Sequence, residues 1–291
     1  MPRTYVITGA GSGIGAATAA LLREGGDTVV GVDLRNSDVT GDLSTPDGRR
    51  AAAEAALDAA GGRVDAVIAS AGIAAPQALT AAVNFYGVTE FLEALRPTLA
   101  RSEAPRAAVV SSMSSLQPNA PHLVEALLSS TEEEALGIAE QLAADPQLGN
   151  LIYASSKRAL SRWVRARSVT PEWAGAGIPL NAVAPGIVRT PMTADLLATP
   201  ESVAFLDAVV PMPLNYHQPA ESIAALLIWL TSPQNTHCAG QTIYCDGGSD
   251  VVLRGEDAWS WADPRVNEYF QRLSVGGAGA AGEGATPAPT A

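Results

Sequence analysis

A short apolar strand, Tyr5-Val6-Ile7-Thr8, runs without a break into Gly9-Ala10-Gly11-Ser12-Gly13-Ile14-Gly15 and then into an Ala- and Leu-rich helical run to about Arg23. Few folds accept a strand, a glycine loop and a helix in immediate succession. Glycines let the backbone turn tightly and come close to a pyrophosphate, whose charge is met by free amides at the helix N-terminus. A second strand over 28–32 ends in Asp33, where an acidic side chain can bind both hydroxyls of a ribose. The same carboxylate would repel a 2′-phosphate, which favours NAD over NADP, whereas the guanidinium of Arg35 could accept that phosphate. Asp33 also reads as an ordinary turn residue closing a strand.

The alternation continues along the chain. A short link over 39–44 precedes a helix over 46–60, closed by Gly61-Gly62, and a buried strand over 64–69 that ends in Ser70-Ala71-Gly72. Helical material over 77–100 and a strand over 107–111 follow, then one or two amphipathic helices over 123–142. A helix over 151–169, a strand over 178–183 ending in Ala184-Pro185-Gly186, a helix over 220–230 and a strand over 241–245 complete the pattern. It predicts one doubly wound α/β domain over 1–255, with a mostly parallel, seven-stranded sheet and any ligand lying across the strand ends at the topological switch. A helical insert (about 118–148) precedes Tyr153, and the mixed apolar segment 187–212 is a candidate flap. The stretch 256–275 is an aromatic extension, and the Gly-, Ala- and Pro-rich stretch 276–291 is expected to be disordered.

Composition narrows the function classes. A net charge of −12 argues against nucleic acid or an anionic membrane as partner, because both require basic patches. Cys238 and Cys245 suit reduced core thiols, and His122, His217 and His237 have no spacing with Cys or acids that would hold a metal. The first residues leave no room for a signal peptide and no apolar run is long enough to span a bilayer, so the cytoplasm is the expected compartment.

Tyr153 and Lys157 stand one turn apart on the 151–169 helix and so share a face. A phenol ionises near pH ~10, and a neighbouring ammonium favours the phenolate, which suits Tyr153 to proton transfer near neutrality. The pair also fits a plain solvated helix face. Asn84, inside an apolar helix, must find partners, as a packed hydrogen-bonder or as a polar link toward a site. Asp42 could bind an adenine amino group or cap the helix that follows.

Thr8-Gly9 with Gly13-Ile14-Gly15, Asn84, Ser111-Ser112, Tyr153 with Lys157, and Asn181-Ala182-Val183-Ala184-Pro185-Gly186 together resemble the short-chain dehydrogenase/reductase family, from about Thr4 to Gly248. The short second crossover, Gly41-Asp42-Leu43-Ser44-Thr45 and the insert look most like its bacterial 3α-hydroxysteroid dehydrogenase/carbonyl reductase branch, and the insert is also similar to that of a coniferyl alcohol dehydrogenase-like branch. The resemblance implies a Rossmann fold and a catalytic set of Ser112, Tyr153, Lys157 and Asn84. Tyr153 would be the acid/base and Ser112 would hold the substrate oxygen. Lys157 would lower the phenol's pKa and bind the nicotinamide ribose, and Asn84 would anchor a water in the proton relay. The cofactor NAD would lie against Gly9, Ser12, Gly13, Ile14, Gly15, Asp33, Ala71 and Gly72, with Asp42 and Leu43 framing the adenine. Tyr153, Lys157, Pro185, Gly186, Val188 (or Ile187) and Thr190 would meet its nicotinamide half.

The implied partners are a hydrophobic alcohol or ketone and further copies of the chain in a homodimer or homotetramer. The implied reaction interconverts a secondary alcohol and a ketone, 3α-hydroxysteroid-like, with an aryl or terpenoid alcohol as the alternative substrate. A non-catalytic NAD-binding redox sensor is the alternative outside enzymes. Ala69-Ser70-Ala71-Gly72 departs from the family's usual Asn-Asn-Ala-Gly, so backbone contacts must support the cofactor loop there.

Overall fold

The structure, a computed structural model, describes residues 2–214 and 216–258. Its elements in chain order begin with β1 (Thr4–Thr8), α1 (Gly13–Glu24), β2 (Thr28–Asp33), β3 (Val39–Thr40), α2 (Pro46–Ala59) and β4 (Ala66–Ala69). Next come α3 (Ala78–Ala81), a π-helical turn (Ala82–Tyr86), α4 (Gly87–Leu99), β5 (Arg106–Val110), α5 (Pro121–Ser129), α6 (Glu132–Ala143), α7 (Leu151–Arg167) and β6 (Leu180–Pro185). The remainder are β7 (Val188–Arg189), α8 (Pro200–Val209), β8 (Gln218–Pro219), α9 (Ala220–Thr231), β9 (Thr242–Cys245) and α10 (Ser249–Arg254). Met1–Leu253 form one compact unit and Arg254–Ala291 a second. Beyond 256–258, the aromatic extension and the tail expected at 256–291 lie outside the described residues.

Seven strands form one sheet in the order β3-β2-β1-β4-β5-β6-β9, and every pairing within it is parallel. Parallel neighbours need crossovers, so helices cover both faces and the strands are apolar on both sides. Val6, Val67, Val109 and Ala182 face the core shared with α2, α4 and α7, whereas Ile7, Ile68, Ala108 and Val183 face the core shared with α1 and α9. The order runs one way from β1 to β3 and the other way from β4 onward. The carboxyl ends of β1 and β4 therefore flank a crevice that no crossover covers.

Three elements differ from expectation. The link over 39–44 contains the edge strand β3: Val32 and Asp33 register with Val39 and Thr40, because Val39 is buried and supplies the apolar contact a short edge needs. The single helix expected over 77–100 is interrupted at Ala82–Tyr86 by the π turn that carries Asn84, the irregularity a buried polar side chain favours. The flap segment carries α8, which has no buried residue.

The insert forms two helices that bury Leu123, Val124, Leu127, Ala135, Ala139 and Leu142. Thr131 and Glu134 close a capping box at the start of α6. Ser155 of α7 hooks the insert by accepting from the Ala120 amide at 2.9 Å while donating to Leu151 O. At the opposite rim, where the strands begin, Arg3 donates to the carbonyls of Asp65 (2.9 Å), Ala104 (2.9 Å) and Thr231 (3.3 Å). There the Asp65 carboxylate accepts from the Thr4 amide and from Ser102 Oγ, and Arg106 Nε donates to Asn235 O. No helix among the described residues is long and apolar enough to cross a membrane.

Candidate active site

The carboxyl ends of β1, β4, β5 and β6 open onto a cleft of about 460 Å³. Gly9, Ser12, Gly13 and Ile14 form one wall. Ser12 stands at the N-cap of α1 without a side-chain cap bond, so side chains leave the first amides of the helix free for an anion. The loop admits no side chains at its tightest points. A Cβ on Gly15 would lie 2.1 Å from Gly9 O, and one on Gly11 would lie 2.2 Å from Arg35 O. Gly13 has a φ of +54° and abuts the Thr190 methyl, which joins the glycine loop to the segment after β6. Such a cradle accepts a pyrophosphate but no bulkier backbone.

Asp33, at the end of β2, lines the cleft, and its carboxylate accepts from the Gly11 amide (3.0 Å) and the Leu34 amide (2.7 Å). Arg35 is exposed and does not line the cleft. Of the two readings of Asp42, helix capping is excluded: Thr45 caps α2 by accepting from the Gly48 amide, whereas Asp42 accepts from the Ser44 amide and lines the cleft beside Leu43. Ala71 and Gly72 line it after β4, where the Ser70 amide donates to Thr8 O and the Ala71 amide to Thr8 Oγ1, both at 3.2 Å. Pro185, Gly186, Val188 and Thr190 line the far wall, whereas Ile187 is buried against Met113 and Val210.

Ser112, Tyr153 and Lys157 converge on the same cleft. The hydroxyls of Ser111, which also lines the cleft, and Ser115 are engaged by other partners. Ser111 Oγ donates to Lys157 O and pairs with Ser161, and Ser115 Oγ pairs with the Tyr244 hydroxyl. Burial pushes the Tyr153 phenol above its ordinary value, and a hydrogen bond with Ser112 opposes that rise. Lys157 Nζ donates to Val110 O at 2.8 Å and lies 5.8 Å from the centre of the Tyr153 ring. Burial lowers its ammonium to about 8. The Ser112 hydrogen bond favours the phenolate, while the β5 carbonyl engages one of the three ammonium donors of Lys157. Replacing Ser112 by Ala is expected to raise the Tyr153 pKa further. The rise of alcohol oxidation with pH would then move to higher pH, as a pH-rate profile would show.

Two of the expected site residues do not line the cleft. Gly15 packs beneath the loop on Gly9, and Asn84 sits behind it. The π turn presents the Asn84 amide so that it accepts from the Ile73 amide and donates to Ile73 O, both at 2.9 Å, and donates to Ser156 Oγ at 3.3 Å. Asn84 is thus a satisfied buried hydrogen-bonder close behind the cleft wall, where a Cβ on Gly72 would lie 3.1 Å from its Oδ1 and 3.5 Å from Lys157 Nζ. Ile73, Leu79 and Val83 also line the cleft, and as apolar residues without a motif they carried no sequence signal of a site. No cluster of His, Cys, Asp or Glu that could hold a metal occurs among the described residues.

The comparisons with known proteins agree with this geometry. A family described as short chain dehydrogenase matches residues 3–124, and one described as enoyl-(acyl carrier protein) reductase matches residues 135–250. The 3-alpha-hydroxysteroid dehydrogenase/carbonyl reductase of Comamonas testosteroni is 36% identical over 255 residues, covering 86% of this chain and 97% of that protein. The crystal structure of the 3-alpha-hydroxysteroid dehydrogenase from Pseudomonas sp. B-0831 complexed with NADH superposes with a TM-score of 0.78 at 38% identity, covering 86% of this chain and 98% of that one. Cis-4-hydroxycyclohexanecarboxylate dehydrogenase of Sinomonas cyclohexanicum is 27% identical over 265 residues, 86% of this chain and 97% of its own. A parallel sheet with a glycine-walled switch point, a Ser–Tyr–Lys cluster at its rim and relatives matching over nearly their full length place this chain in the short-chain dehydrogenase/reductase family.

Proposed function

We propose that the protein is an NAD-dependent oxidoreductase that interconverts a secondary alcohol and a ketone on a hydrophobic, 3α-hydroxysteroid-like substrate. The observation that carries the reading is the placement of Tyr153 at the cleft, hydrogen-bonded to Ser112 and backed by the buried Lys157. Gly13 and Ile14 at the start of α1 would receive the pyrophosphate, Asp33 the adenosine ribose, Asp42 and Leu43 the adenine, and Lys157 and Thr190 the nicotinamide half. When bound, the nicotinamide supplies the hydride donor or acceptor that no side chain provides. In oxidation, Tyr153 takes the hydroxyl proton and Ser112 holds the oxygen as it becomes a carbonyl, and in reduction the phenol returns the proton. The steroid class is favoured by the two hydroxysteroid dehydrogenases matching over 86% of the chain.

The test is cofactor reduction, with NAD and NADP in parallel, over 3α-hydroxysteroids, aryl alcohols and terpenoid alcohols. Steroid-dependent reduction of NAD is the expected result. Turnover confined to aryl or terpenoid alcohols would keep the chemistry and overturn the substrate class, and bound cofactor with no turnover would favour the redox sensor. Cofactor choice has its own test. Asp33→Asn removes the charge that repels a 2′-phosphate while keeping an oxygen for a loop amide. The preference for NAD over NADP, as a ratio of kcat/KM values, is expected to fall on the order of tenfold or more.

A further inference from the structure

Arg49, on the first turns of α2, is 1% exposed and does not itself line the cleft. Its guanidinium is divided among three elements. Nε donates to Glu90 Oε2 of α4 at 2.7 Å, Nη2 to Glu132 Oε2 at the first residue of α6 at 2.5 Å, and Nη1 to Leu43 O at 3.5 Å. The guanidinium carbon also stands 5.8 Å from the centre of the Tyr86 ring, on the π turn. A buried guanidinium is tolerated only while its carboxylates stay in place, so the junction ties α2, α4 and the insert to one geometry.

What that geometry holds is the cleft wall formed by Gly41, Asp42, Leu43 and Ser44. The loop is pressed onto the two helices that share the junction. A Cβ on Gly87, at the start of α4, would lie 3.0 Å from Leu43 O, and a Cβ on Gly48 of α2 would lie 2.2 Å from Asp42 O. The Asp42 carboxyl is held below its ordinary value by its bonds to Ser44, with a smaller contribution from the Arg49 charge. The capping box of Thr131 and Glu134 fixes the α6 terminus from which Glu132 projects.

We propose that Arg49 is a positioning residue for the adenine half of the dinucleotide site, and that the insert completes that site from behind by supplying Glu132. The inference rests on the dinucleotide reading given above. It makes the insert, which otherwise packs beside the Tyr153 helix, a determinant of cofactor affinity through a single carboxylate.

The experiment is calorimetric titration of the full-length chain and its Glu132→Gln and Arg49→Met variants with NADH, adenosine monophosphate and reduced nicotinamide mononucleotide. If the loop spends only a tenth of its time in the binding-competent arrangement, NADH and adenosine monophosphate weaken about tenfold in the variants. The mononucleotide, which never reaches the loop, keeps its affinity. Equal weakening of both half-ligands would mean general loosening and would overturn the proposal, as would no weakening of either. Glu132→Gln carries the test alone if Arg49→Met does not fold, since the amide preserves shape and half of the hydrogen-bonding capacity. If the unmodified chain binds none of the three ligands, the dinucleotide reading falls, and this inference with it.

Discussion

Tyr153→Phe is expected to lower kcat on the order of 10² to 10⁴ while NADH still binds. The variant keeps the ring that faces Lys157 Nζ at 5.8 Å and loses only the hydroxyl that Ser112 meets. Tyr153 is only partly buried, so losing its hydroxyl strands no fully buried partner, and the variant should unfold at nearly the same temperature as its parent. Fluorescence titration with NADH and steady-state kinetics separate the two effects. Turnover at the parental rate would remove Tyr153 from the chemistry.

Lys157→Met is expected to abolish a pH dependence of stability worth about 3 kcal/mol, at about 1.36 kcal/mol per pKa unit. The folded-state value is about 8 against an ordinary 10.5. Below about 8 the ammonium is charged in both states and the folded chain bears the full cost of burying it. Between there and 10.5 the unfolded chain still holds a proton that the folded chain has released, so stability rises with pH through this window. Methionine has no such proton. Chemical denaturation of both proteins across the window should show the parent gaining on the variant as pH rises, and parallel curves would mean that Lys157 is not desolvated. The variant should also lose turnover, because it removes the cation at the cleft.

The fold was legible because its rules are local. Thr8 to Gly15 specifies a turn that few other sequences tolerate, and each buried strand announces itself by apolar residues on both faces, as Val67 and Ile68 do. Val39–Thr40 escaped notice because two residues carry no period, and only their pairing with Val32 and Asp33 makes them a strand. The cleft residues were legible for the same reason as the fold: they sit at strand ends or on one helix turn, as Ser112, Tyr153 and Lys157 do. Long-range polar partnerships were not. Arg49 occupies a helix among other charged residues and reads as solvent-facing, and nothing near it in the chain foretells Glu90 or Glu132. The bond from Lys157 Nζ to Val110 O was equally hidden, since only the docking of α7 on β5 supplies that carbonyl.

The hydrogen bonds that Arg3, Asp65 and Arg106 make where the strands begin stand apart from the glycine loop, the flap and the Tyr153 helix. Damage and innovation should therefore segregate by rim. Substitutions at the strand starts would show as lowered expression or melting temperature with catalytic constants intact. Those at the strand ends would redirect which molecules the protein accepts while leaving it equally robust, so a laboratory seeking new substrates should randomise only the latter.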